Sequence, residues 1–263
     1  MTLHNVEEFM KHLVFEAGKT IMPFFRRSVH IQDKSLHTEK VFDPVTEADK
    51  AAEKIIRNLI EKHYPDHGIL GEEYGETSSQ AEYLWVIDPI DGTRAFISGL
   101  PTWGILIGLL YNGKPVAGIM YQPFTEELYY GDSHLANLLH KETCYPLSVR
   151  SCDTLKQATL STTSPFLFDE QHFKRFRAVE KEVRMSRYGC DCYAYCMVAA
   201  GHMDLVIESD LKPYDIAALI PIIEGAGGII TNWDGKSAVS GGDIVASGDR
   251  RIHEQALTLL QSI

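Results

Sequence analysis

Apolar residues recur at helical spacing from the beginning of the chain. Val6, Phe9, Met10, Leu13, Ala17 and Ile21 share one face, which predicts a long amphipathic helix that Pro23 ends. Residues 30–45 carry no such period and read as irregular or partly extended. A second helix is predicted from "TEADKAAEKIIRNLIEKHYP". Thr46 caps it, Asp49 stands at the acidic place of a capping box, Ile55, Ile56, Leu59 and Ile60 form the apolar stripe, and Pro65 closes it. The turn formers of "GILGEEYGETSSQAE" (68–82) predict a loop. The period then changes. "YLWVI" is a continuous apolar run of strand length, "TWGILIGLLYNGKPVAGIMYQP" predicts two strands about a turn at Asn112-Gly113, and "ELYYG" predicts a third.

A second series of elements starts near residue 150. "ATLSTTSP", "MDLVIE", "GIIT" and "DIVAS" read as strands. "DEQHFKRFRAVEKEV", "CYAYCMVAAG", "YDIAALIPIIEGAG" and "RIHEQALTLLQSI" read as helices; Gly201 ends the second, and Pro221 interrupts the third before its glycine cap. Helices and strands alternate, so the expected fold is α/β with stacked layers. Two halves sharing an interface, 1–148 and 149–263, are expected to form one unit.

Composition narrows the function. With 263 residues and 44% hydrophobic content the chain can bury a sizeable core. No apolar run approaches the ~20 residues of a membrane span, and the charged N-terminal stretch reads as a cytoplasmic start, so no membrane partner is expected. The net charge of −11 disfavours nucleic acid as a partner. The five cysteines read as reduced thiols; the spacing of Cys190, Cys192 and Cys196 is not that of a usual zinc site. His63 and His67 are separated by Pro65, cannot share a helix face, and read as surface residues.

Several acids fall at element ends. Asp49 and Asp215 can act simply as helix caps, and Glu72 and Glu73 as solvated loop charges. "DPIDGT" (88–93) asks for more. A turn at Pro89 can bring Asp88, Asp91 and the Ile90 carbonyl to one side, a hard-oxygen set that suits Mg²⁺. Gly92 admits a close ligand, and a helical turn beginning there would aim the Gly92 and Thr93 amides at a phosphate. One hexapeptide can thus serve metal-assisted phosphoryl transfer.

The pieces "DPVTEAD" (43–49), "GEE" (71–73), "DPIDGT" (88–93) and "YDIAA" (214–218) together resemble the inositol monophosphatase family of Mg²⁺-dependent, lithium-sensitive phosphatases. The resemblance implies an αβαβα sandwich, usually dimeric. It implies one metal on Glu72, Asp88 and the Ile90 carbonyl, a second on Asp88, Asp91 and Asp215, and room for a weaker third near Glu72. Asp49 and Thr93 would form the dyad that activates water, while Asp91, Gly92 and Thr93 bind the phosphate.

Two features depart from the inositol-specific pattern: Tyr214 stands before Asp215 where Trp is common, and "RYGCDCYAY" (187–195) carries Asp191 and tyrosines where small residues are usual. The chain looks most like the histidinol-phosphate phosphatase branch. The expected substrate is accordingly L-histidinol phosphate, a small phosphorylated alcohol of histidine biosynthesis. Gly189, Cys190, Asp191, Glu208 and Asp215 are its expected binding residues; Asp191 and Glu208 would read the cationic amine and imidazole. The alternatives are an inositol or broad polyol monophosphatase, or a non-catalytic regulatory protein on the same fold. The complete acidic set argues against the last.

Overall fold

A computed structural model describes residues 3–27, 31–33, 44–78 and 80–262. Helix α1 (Leu3–Ile21) buries Val6, Met10, Leu13, Ala17 and Ile21, the face expected from its period. Short strands β1 (Ile31–Asp33) and β2 (Pro44–Thr46) pair antiparallel; the rest of the 30–45 stretch, Asp43 included, lies outside the described residues. Helix α2 (Glu47–His63) starts on the expected capping box: Thr46 receives Ala48 N–H, and Asp49 receives Thr46 N–H. Its buried face differs from the apolar stripe. Ile56 and Ile60 are buried and Ile55 and Leu59 half-buried, but Glu53 and Arg57 are buried too. His67 also corrects its expectation: the ring stacks between Tyr64 and Tyr83 and accepts Trp85 Nε1–H at 3.0 Å.

The first sheet has eight strands. They are β3 (Gly68–Gly71), β4 (Gly75–Thr77), β5 (Tyr83–Asp91), β6 (Gly104–Tyr111), β7 (Lys114–Gln122), β8 (Glu127–Gly131), β9 (Ala136–His140) and β10 (Thr143–Pro146), in the order β10-β9-β8-β7-β6-β5-β3-β4. Every neighbouring pair is antiparallel except β3 and β5. The 68–82 stretch, expected as a loop, thus holds two strands, and β9 and β10 carried no sequence signal. The hairpin between β6 and β7 turns at Asn112-Gly113, both at positive φ (48° and 75°), as its right-handed twist favours. A short helix, α3 (Thr93–Ile97), follows β5.

The second sheet has five strands: β11 (Thr159–Thr162), β12 (Met185–Tyr188), β13 (Leu205–Leu211), β14 (Ile229–Asn232) and β15 (Gly242–Ser247), ordered β12-β11-β13-β15-β14. Its helices are α4 (Glu170–Glu180), α5 (Asp191–Ala199), α6 (Pro213–Ile216), α7 (Leu219–Gly225) and α8 (Arg250–Gln261). The single helix expected at 214–227 is therefore two. Pro221 has no N–H to give the carbonyl of Ala217, and the break falls at Ala217-Ala218.

These elements stack as αβαβα. Helices α1 and α2 cover one face of the eight-stranded sheet; α5, α6 and α7 lie between the sheets; α4 and α8 cover the far face of the five-stranded sheet. Apolar clusters fill the gaps: Met10, Leu13, Trp85 and Ile107 in the first, Leu106, Met120, Cys196 and Ile222 in the middle, Leu160, Phe176, Val245 and Ile252 in the last. The middle layer sits directly on the sheet because β7 offers a glycine there. A Cβ on Gly118 would stand 1.9 Å from the Ala218 carbonyl oxygen. Among the described residues no helix is long and apolar enough to cross a membrane.

Candidate active site

The site begins where β5 meets an irregularity. Asp88 opposes Leu106 and Asp91 opposes Gly104, so β5 advances three residues while β6 advances two. Pro89 lacks an N–H for the ladder, which suits a bulge rather than the turn expected from the sequence. Ile90 N–H is released from the ladder and bonds Asp88 Oδ1 at 3.0 Å. Gly92 then takes φ +86° and starts α3, where the first N–H groups have no intrahelical acceptor.

Other elements bring acids to the same place. Strand β3 runs parallel to β5 with Gly71 beside Ile87; Glu72 N–H bonds the Ile87 carbonyl at 3.2 Å, so Glu72 emerges next to Asp88. The turn carrying Glu72 is clamped from below. Buried Glu53 accepts Glu73 N–H at 2.7 Å and Tyr74 N–H at 3.2 Å. Arg57 donates to Glu53 Oε1 at 2.7 Å and also to the Gly75 carbonyl. Asp215 stands in the first turn of α6, its Oδ2 accepting Lys212 N–H at 2.7 Å; Asp91 Oδ2 accepts Cys192 N–H at 2.7 Å from the start of α5.

Asp88, Asp91 and Asp215 each present a carboxylate oxygen within 4.8 Å of the others. Each is also tethered by a backbone amide, so the cluster is oriented rather than incidental. Burial, then the charges of Glu72, Asp91 and Asp215, raise the Asp88 pKa well above the usual carboxylate range. Burial and then Asp191 and Asp215 do the same to Asp91, and burial raises Asp215. Gathered anions of this kind are stabilised by a cation, and an all-oxygen donor set suits Mg²⁺. The residues present therefore fit a hard divalent metal.

Glu72, Asp88, Ile90, Asp91, Gly92, Thr93, Asp191, Glu208 and Asp215 all line one cavity of about 620 Å³. Asp191 opens α5 at φ +43°, and its carboxyl lies over Gly92: a Cβ there would be 3.1 Å from Asp191 Cβ. Burial raises the pKa of Asp191, and lifts that of Glu208 to about 8 against hydrogen bonds from Thr162 and Thr163.

Three expected site residues are absent from the walls of this cavity. Gly189 uses its N–H on Thr162 and Thr163 and its carbonyl on the Thr102 hydroxyl; Cys190 is a half-buried thiol whose pKa burial raises. Both shape the approach to α5. Asp49 is buried behind the wall, with Oδ2 held by the Thr46 N–H at 2.9 Å and hydroxyl at 2.5 Å. Burial lifts its pKa to about 6. The Thr93 hydroxyl, its expected partner, donates to the Ile90 carbonyl at 3.1 Å. Sequence reasoning missed Arg94, Lys212, Thr163, Ser164, Phe166 and Tyr214 as further walls. Arg94 was within reach, because it follows DPIDGT directly; Phe166 and Thr163 gave no signal.

The model of the inositol monophosphatase family matches residues 2–263. The chain belongs to this family. A chloroplastic bifunctional phosphatase of Arabidopsis thaliana is 46% identical over 256 residues, 93% of this chain and 72% of that protein. A histidinol-phosphatase of Mycobacterium tuberculosis is 33% identical, covering 88% of this chain and 89% of that protein. Among solved structures, an inositol monophosphatase from Zymomonas mobilis superposes with a TM-score of 0.87 at 38% identity, covering 99% of this chain and 100% of that one. The inositol monophosphatase family is Mg²⁺-dependent and acts on small phosphorylated substrates, and this chain's acidic cluster is in keeping with it.

Proposed function

We propose that this phosphatase hydrolyses L-histidinol phosphate to L-histidinol and phosphate. The reading rests chiefly on one observation: two further carboxylates, Asp191 and Glu208, share the cavity of the acidic trio. A substrate with an amine and an imidazole offers both of them cationic donors; a ring of hydroxyls offers only neutral ones. The likeness to histidinol-phosphatases supports it. The likeness to the Zymomonas mobilis inositol monophosphatase favours inositol 1-phosphate as the second reading.

Glu72, Asp88, the Ile90 carbonyl, Asp91 and Asp215 would hold two Mg²⁺, with room for a third near Glu72. When bound, Mg²⁺ polarises a phosphoryl oxygen and lowers the pKa of water. The chain itself binds and orients. The Gly92 and Thr93 amides, at the free start of α3, face the phosphate. The Thr93 hydroxyl lines the cavity and would orient the attacking water once it leaves the Ile90 carbonyl; Asp49, held by Thr46, would take the proton only after exchanging that bond for one from Thr93. Asp191 and Glu208 hold the leaving alcohol.

The test is kcat/KM for histidinol phosphate against inositol 1-phosphate, with Mg²⁺ and with EDTA. Histidinol phosphate should be favoured by at least about tenfold and EDTA should abolish turnover. A preference for the inositol ester overturns the substrate; turnover that survives chelation overturns the metal. A homodimer is also expected, and a monomer mass in sedimentation at micromolar concentration would exclude it.

A further inference from the structure

One wall of the cavity comes from a single short stretch. Thr163, Ser164, Phe166, Leu167, Phe168 and Asp169 all line it, between the end of β11 and the start of α4. The stretch is fastened at its first end by Glu208, which accepts the Thr163 N–H at 2.6 Å and hydroxyl at 3.0 Å. Its middle packs against little, for Phe166 is 85% exposed. What holds the far end therefore decides how firmly the wall stands.

That end is Asp169, the N-cap of α4. Its carboxylate accepts His172 N–H at 2.8 Å and lies 2.7 Å from His172 Nδ1. The other ring nitrogen, Nε2, lies 3.1 Å from Asp243 Oδ2, at the start of β15. Asp243 is fixed in turn, its carbonyl accepting Trp233 N–H at 3.0 Å. One imidazole thus stands between two carboxylates. A neutral ring has one N–H, and its bare nitrogen would face the lone pairs of the second carboxylate; the imidazolium donates to both. Partial burial opposes that charge, but the hydrogen bond to Asp169 and the charge of Asp243 outweigh it and hold the pKa above its usual value. Among the described residues, the charged groups acting on the ring are Asp169, from its own helix, and Asp243, from β15. The remaining neighbours are apolar: the Trp233 ring lies 5.4 Å away, Phe168 stacks on Phe176, and α8 brings Ile252 and Ala256 to the same cluster.

We propose that His172 is a positioning residue for this wall: its imidazolium ties Asp169, and with it the 163–169 stretch, to Asp243 of the second sheet. The tie is pH-sensitive. It is complete below about pH 6.5, the ordinary value of a free histidine, and is lost as pH rises through the higher pKa of the folded ring. The proposal rests on this cavity being the substrate site, and adds a control of that site from behind its wall.

Two measurements on the 263-residue chain test it. The first follows the histidine ring signals by NMR without substrate, with His172 assigned by its absence in His172→Gln. His172 should titrate above about pH 6.5, and Asp243→Asn should lower its midpoint. A midpoint at or below that value, or one that Asp243→Asn leaves unmoved, overturns the tie. The second compares KM and kcat of the Mg²⁺-loaded wild type and His172→Gln for histidinol phosphate. Comparing the two proteins at each pH cancels the titration of the substrate itself. At about pH 6 the variant should show a KM about threefold higher with kcat unchanged, in keeping with a partly exposed ion pair, and at about pH 9 the two should agree. A KM ratio that does not change with pH marks general damage to α4 and overturns the positioning role. If the wild type prefers inositol 1-phosphate, the same comparison is made on that ester, and only the histidinol assignment falls. Hydrolysis of neither ester overturns the reading of the cavity and the positioning role together, whatever the ring titration shows.

Discussion

Asp88, Asp91 and Asp215 are held close together against their mutual repulsion. Neutralising one should therefore trade function for stability. Asp215→Asn is expected to raise the Tm in EDTA by a few degrees, to abolish the Mg²⁺-induced rise, and to cost at least about a hundredfold in kcat. An unchanged kcat would remove Asp215 from the metal set. DPIDGT announced two of these acids because proline, glycine and paired acids constrain one another within six residues. Asp215 is 124 residues further on than Asp91, and only the resemblance tied it to them. His253 makes a separate prediction. It is buried, bonded to Ser247 and Thr231, and burial lowers its pKa to about 4. Between about pH 6.5 and 4 the unfolded chain takes up a proton that the folded chain refuses, so this residue makes stability fall as pH falls through that window. Each unit corresponds to at most about 1.4 kcal/mol. Urea titrations at pH 7 and pH 5 should show a smaller pH-dependent loss in His253→Gln than in the wild type; equal losses would exclude His253 as a contributor.

Elements with an uninterrupted period were readable; elements without one were not. Both long N-terminal helices and the β6–β7 hairpin follow from spacing and turn residues. Strands β4 and β10 are exposed along their whole length and β9 is half-buried, so none shows an alternation to detect. Glu53 and Arg57 escaped notice because buried charges look like surface charges in a sequence. Glu53→Ala would strand Arg57 and release the Glu73 and Tyr74 amides, with an expected loss of about 3–5 kcal/mol in urea denaturation. A loss below about 1 kcal/mol would show that the pair does not clamp the turn. Gly118→Ala would drive a methyl group into the Ala218 carbonyl and should cost about 1–3 kcal/mol by the same measurement. A neutral effect would mean that α7 and its preceding turn can lift from the sheet.

At the scale of the molecule, the acidic cluster joins parts that the chain keeps far apart: the end of β5 in the first sheet, and the start of α6 beyond the second sheet's β13. Mg²⁺ binding should therefore stabilise the layers together. At a hundredfold excess over Kd it should add about 2.7 kcal/mol, read as a rise in Tm that EDTA reverses. No rise would separate the cluster from metal binding. By itself the sequence determined the α/β class, the helical faces, the hairpin turn and the identity of the acids, because these depend on neighbours a few residues apart. Tertiary structure decided which acids meet. It turned the supposed proline turn into a bulge of β5 and moved Gly189 and Cys190 out of the cavity wall. Those outcomes depend on strand register and on how closely the middle helices pack between two sheets, which are properties of distances that local spacing does not carry.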